Sequence, residues 1–340
     1  MPRHATMHAA GVVITDKPVS DYVPLSKNDD NVVTQFTMTA LEELGLLKMD
    51  FLGLRNLTVI NDAEKQIKHK NPDYNPDMVD ENDKKVFEMF SKGYTEGVFQ
   101  FESQGMKNVL TQLKPERIED LIAVTALYRP GPMDSIPVYI DCRHNPSHIR
   151  YKHPLLKEIL GVTSGCIIYQ EQVMQIFRTL AGYSLGRADI VRRAMSKKKL
   201  AVMESEREIF IHGLTDNDGN IIVEGCIRRG VDEKTAISVY DEMESFAHYA
   251  FNKSHAAAYA NISYKNCWLK CHYPREYMAA LLSSVLDNQN KLASYITECK
   301  TARKSVCCRL MSTKAIFILR SAETISVTDF LPLKISAEIS

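Results

Sequence analysis

The stretch Leu46-Leu47-Lys48-Met49-Asp50-Phe51-Leu52-Gly53 decides the fold class, because the hydrophobic period changes at its end. Apolar and charged residues alternate from Leu47 to Phe51, as in a strand whose side chains point alternately to opposite faces. Beyond Gly53, residues Leu54, Leu57, Ile60, Ala63 and Ile67 recur at helical spacing, so a helix follows the strand directly. On this reading Leu47, Met49 and Phe51 point into a core, while Lys48 and Asp50 share the open face. An acid and a base so placed suit phosphoryl transfer, where carboxylates hold Mg²⁺ and cations meet the phosphates. The same spacing also describes a plain ion pair on a solvated sheet.

Upstream, Ala9 to Leu25 reads as strand and turn, with Gly-Val-Val-Ile at 11–14 and breakers at Pro18 and Pro24. Downstream the pattern is mainly helical: a helix at Val86-Phe87-Phe90 ends near Gly93, and another runs from Met106 to Leu113. Between them Gly97-Val98-Phe99-Gln100-Phe101 reads as a short strand, and Pro130-Gly131-Pro132 is a rigid break. Further helices are expected near 170–181, 187–198, 202–213, 232–249 and 255–300, with turn chemistry at Asp216-Asn217-Asp218-Gly219. That turn is no EF-hand, since Ile221 stands where the loop needs glycine. The class is α+β, the β part coming first. Residues 304–340 show neither periodicity.

Forty-five per cent hydrophobic and 25% charged residues are the profile of a soluble globular chain. Neither a stretch of about 20 apolar residues nor a secretory leader is present, which favours the cytoplasm and no membrane partner. The 8 cysteines form no paired CxxC framework, and a metal at Cys267, Cys271 and His272 would need two more ligands from elsewhere, so reduced thiols are the better reading. With 42 basic and 42 acidic residues, any polyanion site must come from local clustering. The densest cluster is Gly186 to Lys199, where Arg187, Arg192, Arg193, Lys197, Lys198 and Lys199 face the single acid Asp189. On a helix anchored by Ile190, Val191, Ala194 and Met195, such a face can grip a triphosphate or a nucleic-acid backbone, or merely be solvated.

A third feature is Ala250-Phe251-Asn252-Lys253-Ser254-His255-Ala256-Ala257-Ala258-Tyr259, where Asn252 or Ser254 can cap a helix. Lys253 and His255 add donors at a terminus that suits phosphate, while the small residues suit close packing equally well. Phosphate loops of the GxxxxGK[ST] kind, GxGxxG fingerprints and nucleophile elbows are missing.

Taken together and in order, several motifs resemble the C-family of bacterial replicative DNA polymerases, the α subunits of DNA polymerase III. They are His8-Ala9-Ala10-Gly11-Val12-Val13-Ile14, Lys48-Met49-Asp50-Phe51-Leu52-Gly53-Leu54 and Gly97-Val98-Phe99-Gln100-Phe101-Glu102-Ser103. Leu127-Tyr128-Arg129-Pro130-Gly131-Pro132-Met133, Tyr169-Gln170-Glu171-Gln172-Val173-Met174, Arg192-Arg193-Ala194-Met195 and Phe251-Asn252-Lys253-Ser254-His255 continue the series. The resemblance implies the end of a palm β-sheet at 1–53 and a large, mainly helical fingers domain at 54–303, leaving 304–340 unassigned. It also implies nucleotidyl transfer to a primer 3′ end by two Mg²⁺ ions.

Asp50 then matches a metal-binding catalytic aspartate, and Lys48 a lysine that contacts the nucleotide phosphates. Arg192, Arg193, Lys197, Lys198, Asn252, Ser254 and His255 become nucleotide contacts, and Arg129, Lys199 and Lys253 DNA contacts. Implied partners are primer-template DNA, deoxynucleoside triphosphates and, for a full-length protein, other replicase subunits and the sliding clamp. DNA affinity should fall steeply with salt.

The family's other two aspartates form an Asp-x-Asp pair, and none occurs in residues 1–49, so an incomplete fragment is expected. A non-catalytic nucleic-acid-binding module is the alternative, since it needs only the basic face; an unrelated phosphotransferase would need a fuller carboxylate set. Residues 304–340 are expected to be a frameshifted or misassembled tail, because the resemblance stops at about Ala302. Reading their coding DNA in the other two frames should restore family-like sequence; failure in both frames would contradict a frameshift.

Overall fold

The computed structural model describes residues 7–28, 30–196, 200–247 and 249–302. The tail 304–340 and Lys197, Lys198 and Lys199 lie outside the described residues. By internal contacts the chain divides into two units, Met1–Arg55 and Asn56–Ser340.

The first unit is built on two-stranded ribbons. Strand β1 (Gly11–Ile14) pairs antiparallel with a later strand, whereas β2 (Leu25–Asn28) and β3 (Asn31–Thr34) pair with each other. Helix α1 (Met38–Glu43) ends at Gly45, whose φ of 74° is readily adopted only without a Cβ. The Gly45 amide donates to Glu42 O at 3.0 Å and the Leu46 amide to Leu41 O at 3.0 Å, a Schellman ending. That reversal delivers β4 (Leu47–Asp50) beside β1, with Gly11 opposite Asp50 and Val13 opposite Lys48.

The strand expectation holds here, but its facing does not. Leu47, Met49 and Phe51 are exposed, as are Val12 and Ile14, so they do not enter a core. Alternation reveals which face is apolar; a two-stranded ribbon supplies no second layer to cover it.

The second unit is helical around three buried clusters. Helix α2 (Arg55–Lys70) contributes Val59, Ile60, Ala63 and Ile67 to one of them. Helices α3 (Lys84–Ser91), α4 (Gln104–Leu113), α5 (Ile118–Leu127) and α6 (Ile136–His144) enclose a second with Phe90, Phe101 and Tyr139. Helices α7 (Leu156–Leu160), α8 (Gln170–Ala181), α9 (Leu185–Ser196), α10 (Leu200–His212) and α11 (Glu233–Ala247) surround a third centred on Phe177, Phe210 and Tyr240. The turn at Asp216 to Gly219 joins the short hairpin β5 (Leu214–Thr215) and β6 (Ile221–Val223).

The long helical stretch expected over 255–300 is three helices: α12 (Lys253–His272), α13 (Pro274–Ser283) and α14 (Gln289–Ala302). Pro274 explains the first break, because proline starts a helix readily but cannot sit inside one. Helix α12 is the spine of the unit. Ala256 and Ala260 are fully buried in the cluster that includes α5, while Leu269 joins the α2–α13 cluster.

The segment Gly97-Val98-Phe99-Gln100-Phe101 is a turn, not a strand. Its backbone groups are satisfied by side chains: Tyr277 Oη donates to Gly97 O at 2.7 Å and Ser263 Oγ to Phe99 O at 2.8 Å. The Phe99 amide donates to Asn266 Oδ1 at 3.3 Å. Val98 and Phe101 are both fully buried, but in a loop.

The charged centre of this unit is Asp120, fully buried on α5. Arg143 Nε donates to its Oδ1 at 2.9 Å and Arg117 Nε at 3.1 Å, and the Glu116 amide donates to its Oδ2 at 3.1 Å. Burial alone would raise the Asp120 carboxyl, but Arg143, the Glu116 amide and Arg117 together hold it below the ordinary aspartate value. Asp120→Ala should lower the unfolding free energy by about 1–3 kcal/mol in urea titrations, because the Glu116 amide and Arg117 Nε lose their acceptor and Arg143 keeps only Glu116. Since the folded carboxyl is depressed, its contribution is present above the usual value of about 3.9 and is lost as pH falls through the folded one.

Candidate functional site

Three groups of site residues emerge. In the first unit, Lys48 and Asp50 lie on one face of β4, and Lys48 Nζ sits 2.7 Å from Asp50 Oδ1. His8 Nδ1 stands 3.9 Å from the same oxygen. Gly11 makes room for the group: a Cβ there would lie 2.8 Å from Lys48 Cε and 2.8 Å from His8 Nδ1. The Lys48 hydrogen bond, with the Lys48 and His8 charges, holds the Asp50 carboxyl below its ordinary value. His8 belonged to a quoted motif, but strand periodicity gave it no role beside Asp50.

One carboxylate paired with an ammonium is a poor cradle for a metal ion. Among the described residues no group of three or more His, Cys, Asp and Glu side chains is placed to hold one. Mg²⁺ would find a single carboxylate here, Asp50, so the described residues do not themselves form a two-ion centre.

In the second unit, α9 turns Ala188, Val191, Ala194 and Met195 into the core. Ile190, expected as an anchor, is instead exposed, because it lies on the solvent side of the helix. The outer face carries a shared carboxylate. Arg192 Nη2 lies 2.7 Å from Asp189 Oδ1, and Arg193 Nε lies 2.8 Å from Asp189 Oδ2. The Arg192 hydrogen bonds, with those of Arg193, hold Asp189 below the ordinary aspartate range. The Arg192 side chain is 15% exposed and that of Arg193 68%. Arg187 turns away to Glu206, Nη2 to Oε1 2.7 Å.

The third group surrounds the first turn of α12. Asn252 is its N-cap, accepting from the His255 amide at 2.8 Å. A second acceptor comes from α8: Glu171 Oε2 accepts from the Lys253 amide at 3.0 Å and Oε1 from Asn252 Nδ2 at 3.1 Å. The carboxylate thus occupies a position where an anion is favoured by the free amides and the helix dipole. Ser254 and His255 are exposed there. The His255 ring stacks within 4.4 Å of Tyr259, and Tyr259 lies 5.4 Å from Phe99. Lys253 lies over Tyr169 at 5.7 Å.

Arg129 is committed to the same neighbourhood. Its Nε donates to Ala126 O at 3.1 Å, its Nη2 to Tyr249 O, and its guanidinium lies 4.4 Å over Phe251. Burial pulls this guanidinium below the ordinary arginine value.

The α9 and α12 groups meet through Gln170. Its Oε1 accepts from Arg192 Nη1 at 2.9 Å, and its Nε2 donates to Ala250 O at 3.0 Å. Arg192, Asn252, Lys253 and His255, distant in sequence, therefore belong to one hydrogen-bonded neighbourhood, and Gln170 and Glu171 are members that sequence reasoning left without a role. Their motif was visible; its contacts were not.

A titration of the Asp50 carboxyl by ¹³C NMR should give a midpoint below that of an ordinary aspartate. Lys48→Ala should raise it toward the ordinary value, and an unchanged midpoint would contradict the pairing.

The family model for the bacterial DNA polymerase III alpha NTPase domain matches residues 1–53. That for the bacterial DNA polymerase III alpha subunit finger domain matches residues 56–218. The DNA polymerase III subunit alpha of Staphylococcus aureus strain COL is 48% identical over 302 residues, covering 88% of this chain and 27% of that protein. The subunit of the same name from Borreliella burgdorferi is 47% identical over 302 residues, covering 88% of this chain and 25% of that protein. The chain thus spans about a quarter of the length of these curated relatives. Two matching models from one protein family, met in order along the chain, agree with relatives nearly half identical to it: the chain belongs to the bacterial DNA polymerase III α-subunit family.

Proposed function

We propose that this chain is the nucleotide- and DNA-handling portion of a replicative DNA polymerase that transfers nucleotides to a primer 3′ end. The observation that carries the reading is the link that Gln170 makes between Arg192 on α9 and the backbone leading into the first turn of α12. Arg192 and Arg193 would grip the triphosphate of a deoxynucleotide, displacing Asp189 as their anionic partner. Asn252, Ser254 and His255 would border the incoming nucleotide, and Lys197 and Lys198 would add charge near the phosphates. Lys253, Lys199 and Arg129 would serve the primer-template, Arg129 through the Phe251 and Tyr249 contacts that order the turn at Pro130 to Pro132.

Asp50 and Lys48 belong to the catalytic centre in this reading: Asp50 as one Mg²⁺ carboxylate, Lys48 as a phosphate contact and the partner that keeps Asp50 ionised. The whole polymerase would use Mg²⁺, deoxynucleoside triphosphates, primer-template DNA, a sliding clamp and other replicase subunits. Among the described residues no helix is long and apolar enough to cross a membrane. The lone carboxylate favours a second reading, a nucleic-acid-binding module without chemistry of its own.

Two measurements separate these readings. Arg192→Ala and Arg193→Ala should each weaken dATP binding roughly tenfold, the size of a lost charge-assisted hydrogen bond, while weak DNA binding persists. Uniform loss of DNA affinity with no nucleotide effect would instead support the binding module. In a magnesium-dependent primer-extension assay, the 340-residue chain alone should extend little or not at all. Extension equal to that of a complete polymerase would contradict the incomplete carboxylate set.

A further inference from the structure

The structure gives the Tyr169-Gln170-Glu171 segment a geometry that reaches beyond its own helix. Tyr169 and Phe251 form an isolated parallel bridge: the Gln170 amide donates to Phe251 O at 2.9 Å and the Phe251 amide to Ile168 O at 3.2 Å. The segment is itself immobilised from behind. Gln172 Oε1 accepts from the Ile168 amide at 2.8 Å and the Tyr169 amide at 2.9 Å, while its Nε2 donates to Thr163 Oγ1 at 2.7 Å. Gln172 and Thr163 are buried, so this anchor is shielded from water. On this fixed base the two neighbouring side chains face different partners. Glu171 holds the Lys253 amide and the Asn252 side chain, and Gln170 spans from Arg192 to Ala250.

We infer that Gln170 is a positioning residue that couples the Arg192 side chain on α9 to the N-terminal turn of α12, making the two halves of the nucleotide site a single unit. The inference rests on the reading of Arg192 and the α12 turn as that site. A side-chain amide suits the task because it accepts and donates at once. Its oxygen takes a guanidinium N–H without adding a negative charge that would repel a triphosphate, and its nitrogen holds a backbone carbonyl two residues before the α12 cap. Asp189 alone would fix Arg192 only to its own helix. Gln170 directs the guanidinium's other edge, Nη1, toward α12. A guanidinium held from two sides in this way loses less freedom when a phosphate binds.

The test is a double-mutant cycle in the 340-residue chain, using dATP with Mg²⁺ as the probe. Gln170→Met keeps an unbranched side chain of similar length and removes both hydrogen bonds. It should weaken dATP binding roughly tenfold, and adding Arg192→Ala should then weaken it much less than the same change does alone. Independent effects, or unchanged affinity in Gln170→Met where Arg192→Ala weakens binding, would overturn the coupling while leaving the nucleotide site standing.

Hydrogen exchange supplies a readout that needs no nucleotide. Arg192→Ala should speed exchange of the Lys253 and His255 amides, which bond to Glu171 and Asn252 and not to Arg192. It should do so only while Gln170 is present. If the native chain binds no dATP, the nucleotide reading fails and exchange alone decides: a Gln170-dependent response upholds the coupling and no response overturns it. Should Gln170→Met lose its cooperative melting, Gln170→Ala takes its place: loss of the Arg192→Ala response in that background upholds the coupling, and the same response retained there overturns it.

Discussion

The constraint on which the second unit depends is the enclosure of one half of α12. From residue 262 to residue 271 no position of the helix is exposed. Asn266 accepts from the Phe99 amide, Ser263 and Tyr264 donate to backbone carbonyls of distant loops, and the Lys270 ammonium is held by Tyr94 O, Glu96 O and Glu298. A helix fixed so completely along its C-terminal half has no freedom in its axis. Its first turn, where Asn252, Ser254 and His255 are exposed, is consequently held in place by packing well away from it. Large-to-small changes in that packing would disturb the turn without touching it.

Electrostatics complete the arrangement. A chain with 42 basic and 42 acidic residues offers no long-range attraction for a polyanion. Each candidate cation that the structure describes near the α9 face is matched by a local acid, Arg192 and Arg193 by Asp189 and Arg187 by Glu206. The Lys253 amide at the start of α12 is matched by Glu171. A neutralised grip avoids the repulsion of clustered guanidinium groups when no ligand is bound. A triphosphate bound as proposed would compete with carboxylates already in place, so selectivity for phosphate over chloride or monoanions would come from its higher charge and bidentate geometry.

Much of this was legible in the sequence. The strand-to-helix change at Gly53, the Asn252 cap, the Asp216 turn and most helices of the second unit follow from periodicity and local chemistry. The exceptions share one cause. The turn at Gly97 to Phe101, the exposure of Leu47, Met49 and Phe51, and that of Ile190 depend on which partners meet an apolar residue, and periodicity carries no such information. The break before α13 is written in Pro274 itself, which a single helical span over 255–300 leaves out of account. In the site, Arg192, Arg193 and Asn252 to His255 were found as separate features. Gln170 and Glu171 stand in a visible motif but carry no role in the sequence, because a glutamine at the start of a helix gains its meaning only from the backbone 80 residues away to which it donates.

In the proposed site the α9 arginines and the α12 turn would meet one triphosphate. An NMR titration that follows arginine side-chain Nε–H resonances while dATP and Mg²⁺ are added tests it most directly. Arg192 and Arg193 should shift together and saturate with the Lys253 and His255 amides, while Arg117 and Arg143, occupied by buried Asp120, stay still. Shifts spread evenly over surface arginines, or confined to α9 with the α12 turn silent, would contradict it.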